Sequence, residues 1–312
     1  MSAANVAIIG AGPVAIIGAG PAGLAAAIQL KRYGIDLLLF EAEAVGGLLR
    51  NANLVENYPG FPGGIPGIEL VRLFAEQLQG QGVTVTCARV TGVSEAGGLF
   101  RIEAGDQVYL SQVLVLATGS QALTFQEFAI PEAAAGRVMS EILPVMGLVG
   151  KRFAIVGAGD LAFDYALNLG RSNEVLILNR SDETRCLPLL RERAANNPRI
   201  SYSENTSIEE VAVAADGGLT LACRSTEGAL SIGCDYLVGA IGRKPRLDLL
   251  SEEFLRQAAE WQEQGRLYFI GDAKNQHYRQ ASIAIGDGVM AAMKIHKLIE
   301  MHGHSFQTVE QQ

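Results

Sequence analysis

Short unbroken apolar runs that end in glycine and lead into apolar helical stretches dominate this chain. The first complete unit reads VAIIGAG over 14–20, then a helix pattern through AAAIQLKRYG, then IDLLLFEAE over 35–43. An uninterrupted apolar run closing on an acid is how a strand reads when a parallel sheet buries both its faces. A Gly/Pro-rich loop over 46–67 precedes a helix predicted over about 68–79, and short β-type segments fill 83–116 before the turn ATGS. A second strand–glycine–helix unit opens at Arg152 with RFAIVGAGDLAFDYALNLG, followed by the strand EVLILNR over 174–180. Strands with turn signals continue to YLVGAIGRKP (236–245). LDLLSEEFLRQAAEWQEQGR then reads as a helix, and the last block as one strand, a loop and a long helix. Ser225–Gly228 is a turn, and a hairpin closing there pairs Cys223 with a residue near Leu230, so Cys223 and Cys234 do not face each other.

Two such openings about 139 residues apart, each followed by hairpin strands, predict an α/β protein. It has two Rossmann-type (three-layer ββα) nucleotide-binding domains, the second inserted into the first. The expected division is 1–118 with 244–312 for the first domain and 119–243 for the second. Residues 6–13 and 14–21 are a perfect tandem copy of VAIIGAGP. Only the second copy runs on into a helix, so it is the working motif, and residues 1–12 read as a spare extension.

From Val6 to Ile28 no residue is charged, long enough by count to span a bilayer. Gly-Pro turns at Gly12-Pro13 and Gly20-Pro21 break it, and no basic start of a secretory signal precedes it, so a cytoplasmic protein without a membrane partner is expected. A formal net charge of -8 with no basic stripe argues against nucleic acid. The four cysteines show neither C-x-x-C nor metal-ligand spacing, so free thiols and no metal are expected.

Gly18, Gly20 and Gly23 directly follow a strand and open a helix, the context that gives a G-x-G-x-x-G its meaning. Gly18 makes the tight turn, Gly20 lets backbone approach a pyrophosphate, and Gly23 permits close helix–strand packing. Glu41, at the end of the next strand, is placed to accept a hydrogen bond from a ribose hydroxyl. In the second unit Gly157, Gly159 and Ala162 form the same fingerprint, with Asp160 opening the helix. Its following strand ends in Asn179-Arg180-Ser181, without the acid an NAD site uses on the 2′-hydroxyl. With Arg185 nearby, that pattern favours a 2′-phosphate, hence NADPH.

GAGPAG with Glu41, Gly46-Gly47, VENYPGFPGGIPG (55–67), ATGS, Gly271-Asp272 and HYRQ (277–280) resemble, in order and spacing, the bacterial thioredoxin reductase family, from Val14 to about Ile299. The resemblance implies FAD in the first domain, at Gly18, Gly20, Pro21, Ala22, Gly23 and Glu41. It also implies flavin contacts from Gly47, Leu48, Asn57, Gly119, Gly271, Asp272, Arg279, Gln280 and Ala281. Leu48 departs from the family's Gln at that place. His277, beside the ring by the same resemblance, is a candidate proton donor. The family's arginine cluster survives as Arg180 and Arg185, with Asn179 and Ser181 replacing its other members. A homodimer is implied, as is a swing of one domain against the other.

The family's C-x-x-C-Asp falls on Ile142-Leu143-Pro144-Val145-Met146, so two branched aliphatics replace the cysteines and Met146 replaces the acid. The leading expectation is therefore a FAD-dependent, NADPH-linked reductase handing electrons from the flavin to a redox partner protein of ferredoxin or flavodoxin type, or to a small-molecule acceptor. Two alternatives stand beside it. One is a flavin-linked disulfide or dithiol oxidoreductase, working directly at the flavin or through Cys186, or a ferredoxin-linked enzyme with an altered, non-NADPH second nucleotide site that could hold another flavin. The other is a non-catalytic flavin-binding regulatory protein.

Overall fold

A computed structural model of the chain describes residues 8–302. In chain order the first elements are β1 (Ile8–Ile17), α1 (Pro21–Arg32), β2 (Leu37–Glu41), α2 (Gly67–Gly80), β3 (Val85–Cys87), β4 (Val90–Ala96), β5 (Leu99–Ala104) and β6 (Gln107–Leu116). After β7 (Ser120–Ala122) come β8 (Val138–Met139), β9 (Arg152–Val156), α3 (Asp160–Leu169), β10 (Glu174–Leu178), α4 (Pro188–Ala195) and β11 (Ile200–Ser203). They are followed by β12 (Ser207–Val213), β13 (Leu219–Ser225), β14 (Gly228–Cys234), β15 (Tyr236–Gly239) and β16 (Arg243–Pro245). The chain closes with α5 (Glu252–Glu263), β17 (Leu267–Phe269), α6 (Asp272–Asn275) and α7 (Ala281–His302).

Two compact units result. Among the described residues, one comprises residues up to 50, 56–121 and those from 245 on, the other residues 51–55 and 122–244. The first unit holds a sheet in the order β3-β2-β1-β6-β5-β4, with β17 also paired to β6. Strands β1, β2, β3, β6 and β17 run parallel where they pair, as uninterrupted apolar strands do when both faces are covered. Alternation sorts their side chains between two cores. Val14, Ile16, Val113 and Val115 pack with α1 and α7, whereas Ala15, Ile17, Leu114 and Leu116 pack with Phe100, Phe254 and Trp261. Trp261 is a packing residue, edge-on to Phe100 at 5.4 Å between ring centroids.

The tandem copy behaves differently from the expectation of a spare extension over 1–12. Strand β1 begins at Ile8, inside the first copy, and runs without a break into the second. Its early part pairs with the early part of β6, from Ile8↔Val108 to Gly12↔Ser111. Pairing with β2 starts only at Val14, so Pro13, which has no N–H, lies where β6 alone is beside it. The part of the extension before Ile8 lies outside the described residues.

The second unit carries a parallel sheet in the order β11-β10-β9-β15-β8 and an antiparallel sheet β12-β13-β14. Its Rossmann core gathers Phe153, Ile155, Phe163, Tyr165, Ile177 and Val238. The β13–β14 hairpin pairs Cys223 with Leu230 and Leu219 with Cys234, and all four cysteines of the chain are free. The segment after β16 is helical, as its pattern predicts, and the strand Leu267–Phe269 lies between that helix and Gly271. Among the described residues no helix is long and apolar enough to cross a membrane, and no cluster of His, Cys, Asp or Glu could hold a metal ion.

Candidate functional site

In the first unit the glycine turn is set by its neighbours. Gly18 sits at φ +104°, and a Cβ there would lie 2.3 Å from the carbonyl oxygen of Ala117, so only glycine fits. A Cβ on Gly23 would lie 1.9 Å from the carbonyl oxygen of Gly18, which brings the first turn of α1 hard against the strand end. Gly20 differs. It caps α1 in extended geometry with no side-chain cap, and a Cβ there would meet nothing within 4 Å. The N-terminus of α1, with Pro21 in its first turn and no acid, thus presents uncapped amides to open space, an arrangement suited to an anion.

Glu41 is braced into this turn. Its Oε2 accepts the Ala19 N–H at 2.8 Å and its Oε1 the Glu43 N–H at 3.0 Å, while the Ala19 carbonyl accepts from Gly46 N–H at 2.8 Å. A carboxylate has about four acceptor positions, so Glu41 keeps capacity for a ribose hydroxyl while being fixed in place. A Cβ on Gly47 would lie 3.4 Å from the Cα of Gly20, so the Gly47-Leu48 turn lies against the same glycine loop.

Several of the remaining flavin candidates of this unit are tied to other segments by hydrogen bonds. Asn57 Nδ2 donates to Gln280 Oε1 at 2.6 Å, joining the Tyr-Pro-Gly loop to the segment before α7. Ser120 Oγ donates to Asp272 Oδ2 at 3.2 Å, and the Gly119 carbonyl accepts the Arg246 N–H at 3.0 Å. Gly271 is held at φ +63° with its N–H donated to Asp287 Oδ2, and Asp287 also accepts from Lys274 and Asn275. Asp287 escaped sequence reasoning because it sits mid-helix, 16 residues from the turn it secures. His277 is exposed in the loop after α6, and Ala281 begins α7. The glycine cradle, uncapped helix terminus and braced acid fit the ADP half of FAD.

In the second unit Gly157 repeats the first turn, at φ +133° with a Cβ position 2.4 Å from the Ala240 carbonyl oxygen. Gly159 repeats the open face, with nothing within 4 Å. Asp160 begins α3 and accepts the Leu187 N–H at 2.7 Å, tying the N-terminus of α4 to the glycine loop. The strand-end residues divide their labour. Asn179 is buried; its Nδ2 donates to the Glu183 carbonyl and to Tyr202 Oη, and its Oδ1 accepts the Ser181 N–H. It therefore shapes the turn from inside, although the sequence offered it as a ligand contact. Arg180 and Arg185 project outward, their side chains 79% and 78% exposed. Arg180 Nη1 pairs with Glu127 at 3.1 Å and Arg185 Nη2 with Glu183 at 3.0 Å. The Arg185 N–H donates to the Ala158 carbonyl, so this turn runs alongside the glycine loop.

Ile142 and Val145 are buried members of the second unit's core, with Met146 packed against them. Leu143 donates its N–H to Asn51 Oδ1 at 2.9 Å. Burial pushes the Cys223 thiol up to about 11 and Cys234 to about 12, and Cys186 is also raised by burial and by Asp160. None of these three is set up as a thiolate nucleophile. Asp164, on α3, is a further titratable group that sequence reasoning missed. Burial lifts it to about 6, against the opposing pull of the Asn53 and Leu54 amides and of Arg171.

Residues 12–289 match the family model described as pyridine nucleotide-disulphide oxidoreductase. The chain is 30% identical to a thioredoxin reductase of Streptomyces clavuligerus, covering 98% of this chain and 97% of that one. It is 32% identical to one from Streptomyces coelicolor, over 93% and 92% respectively. Among solved structures, a thioredoxin reductase of Lactococcus lactis superposes with a TM-score of 0.81 at 26% identity, covering 93% of this chain and 99% of that one. The thioredoxin reductase of T. acidophilum, at 23% identity and a TM-score of 0.79, shares the fold over 92% of this chain and 98% of its own. Thioredoxin reductases use FAD and NADPH. The chain belongs to the pyridine nucleotide-disulphide oxidoreductase family and is a FAD-dependent oxidoreductase with the thioredoxin reductase fold.

Proposed function

We propose that this enzyme takes reducing equivalents from NADPH and delivers them from its flavin directly to an acceptor outside the chain, with no dithiol relay between. The observation that carries this reading is the pair of buried aliphatic residues, Ile142 and Val145, at the places where the resemblance puts a redox-active C-x-x-C. Neither can form a disulfide, and Met146 offers no proton. When bound, a flavin supplies hydride acceptance from a nicotinamide and release of one or two electrons.

The residues of this chain bind and orient. The α1 N-terminus with Gly18, Gly20, Pro21, Ala22 and Gly23 takes the pyrophosphate, and Glu41 takes the ribose. Asp272, positioned by Ser120 and by the Asp287-held Gly271, takes the ribityl chain; Asn57, Arg279 and Gln280 border the ring. In the second unit Gly157, Gly159 and the α3 N-terminus take the NADPH pyrophosphate, and Arg180, Ser181 and Arg185 its 2′-phosphate. The acceptor is an electron-carrier protein of ferredoxin or flavodoxin type, or a small molecule.

The test is anaerobic titration of the flavin-loaded protein with NADPH and, separately, NADH, followed by mixing with a ferredoxin, a flavodoxin and a disulfide such as oxidised thioredoxin. Bleaching of the flavin band by NADPH and reoxidation by a one-electron carrier but not by the disulfide is the expected result. Reoxidation by thioredoxin at comparable rate would overturn the absence of a dithiol route. No bleaching by either nucleotide would remove the pyridine-nucleotide reading.

A further inference from the structure

The turn after β10 carries two arginines, and each already holds a carboxylate. The Arg180–Glu127 pair has the more organised geometry. Arg180 leaves a turn fixed from within by Asn179, whose amide spans Glu183, Tyr202 and Ser181. Glu127 comes from a distant part of the same unit, 53 residues earlier. Its carboxylate is set by its own local backbone: Oε2 accepts the Gln126 N–H at 3.2 Å while Oε1 accepts from Arg180 Nη1 at 3.1 Å. The amides of Glu127 and Gln126, and then Arg180, hold this carboxyl below the usual carboxylate range, so it stays charged at neutral pH.

A 2′-phosphate and a carboxylate seek the same thing from a guanidinium, two parallel N–H donors. With Nη1 engaged by Glu127, a phosphate arriving at Arg180 must either displace that carboxylate or sit beside it as a second anion. The nicotinamide dinucleotide without the 2′-phosphate meets neither obstacle. Its ribose hydroxyl is neutral and can donate to a carboxylate.

We propose that Glu127 is a specificity-determining residue of the second nucleotide site, a built-in competitor for Arg180 that narrows the preference for NADPH over NADH. The proposal rests on the reading of Arg180 as a 2′-phosphate ligand. Substitution of Glu127 by glutamine keeps an acceptor oxygen for Arg180 and removes the negative charge. Its expected effect is about a three- to fivefold gain in affinity for a 2′-phosphate, the size of an exposed ion pair.

Calorimetric titration of the flavin-loaded protein with 2′,5′-ADP and with 5′-AMP tests this without turnover. The proteins compared are the unsubstituted chain, Glu127→Gln, Arg180→Gln and the double variant. The expected result is tighter 2′,5′-ADP binding in Glu127→Gln, unchanged 5′-AMP binding, and disappearance of the gain when Arg180 is also replaced. If Arg180→Gln weakens 2′,5′-ADP but Glu127→Gln changes nothing, the competitor role falls while the phosphate site stands. A gain that persists in the double variant overturns the proposal too, since it reports net charge and not competition for Arg180. If Arg180→Gln leaves both ligands unaffected, the reading of the phosphate site fails and takes the proposal with it.

Discussion

Asp164 Oδ2 accepts the backbone N–H of Asn53 at 2.9 Å, so an acid on the first helix of the second unit holds residues from much earlier in the chain. Arg171, just after α3, donates to the Asn53 side chain. The segment 51–55 belongs to the second unit by its contacts, and this buried carboxylate is one of the groups that keep it there.

Titration of Asp164 has a definite sign. Its value rises from an ordinary 3.8 to about 6 in the folded chain, so the fold binds the proton more tightly than the unfolded chain does. The contribution is fully favourable below pH 3.8 and is lost as pH rises to about 6. The loss approaches about 3 kcal/mol at most, two pKa units at 1.36 kcal/mol each. Asp164→Asn keeps an acceptor for the Asn53 amide without the buried charge. Its melting temperature should exceed that of the unsubstituted protein at pH 7.5, with the difference shrinking toward pH 4.5. A constant difference across that range would show that Asp164 titrates normally.

Cys186 stands near the N-terminus of α4, and burial together with Asp160 raises its thiol. A nucleophilic cysteine needs the opposite. Cys186→Ser should therefore keep flavin reduction and acceptor turnover within about twofold. Loss of turnover with flavin content intact would instead make Cys186 a relay and restore a thiol mechanism.

The tandem VAIIGAGP offers an unusual deletion, since removing 6–13 or 14–21 yields the same chain. The remaining copy supplies both strand and glycine turn. What is lost is the pairing of the first copy with Val108–Ser111, about three ladder hydrogen bonds at about 1 kcal/mol each. Flavin content should be unchanged and urea stability lowered by about 3 kcal/mol. A flavin-free product would mean that the first copy takes part in holding the cofactor.

The strand–glycine–helix units were legible because the pattern itself is a local necessity. Gly18 and Gly157 occupy positions where positive φ and a carbonyl within 2.4 Å exclude every other residue. The Cys223–Leu230 register followed from the turn at 225–228 for the same reason, since hairpin pairing is fixed by turn length. Asp164, Asp287 and Glu127 were not legible. Each acts on a partner at least 12 residues away and looks, in the sequence, like an ordinary solvated acid. The first copy of the repeat misled for a different reason: a glycine turn motif can also run straight as strand where β6 supplies hydrogen bonds.

Gly20 and Gly159 allow the two nucleotide sites to be tested one at a time. Both cap their helices in extended geometry that alanine adopts, at φ -72° and -97°, and a Cβ on either meets no protein atom within 4 Å. Alanine at these positions should leave the unfolding free energy of the cofactor-free chain unchanged within about 0.5 kcal/mol. The added methyl fills the space a pyrophosphate would enter. Gly20→Ala is expected to yield protein with little bound flavin. Gly159→Ala should retain flavin yet require at least tenfold more NADPH for half-maximal reduction. Gly23→Ala serves as the contrast, because its Cβ would strike the Gly18 carbonyl and must lower the melting temperature itself. If Gly20→Ala purifies with a full complement of flavin, the pyrophosphate does not lie over α1, and the assignment of the first site to FAD fails on geometry alone.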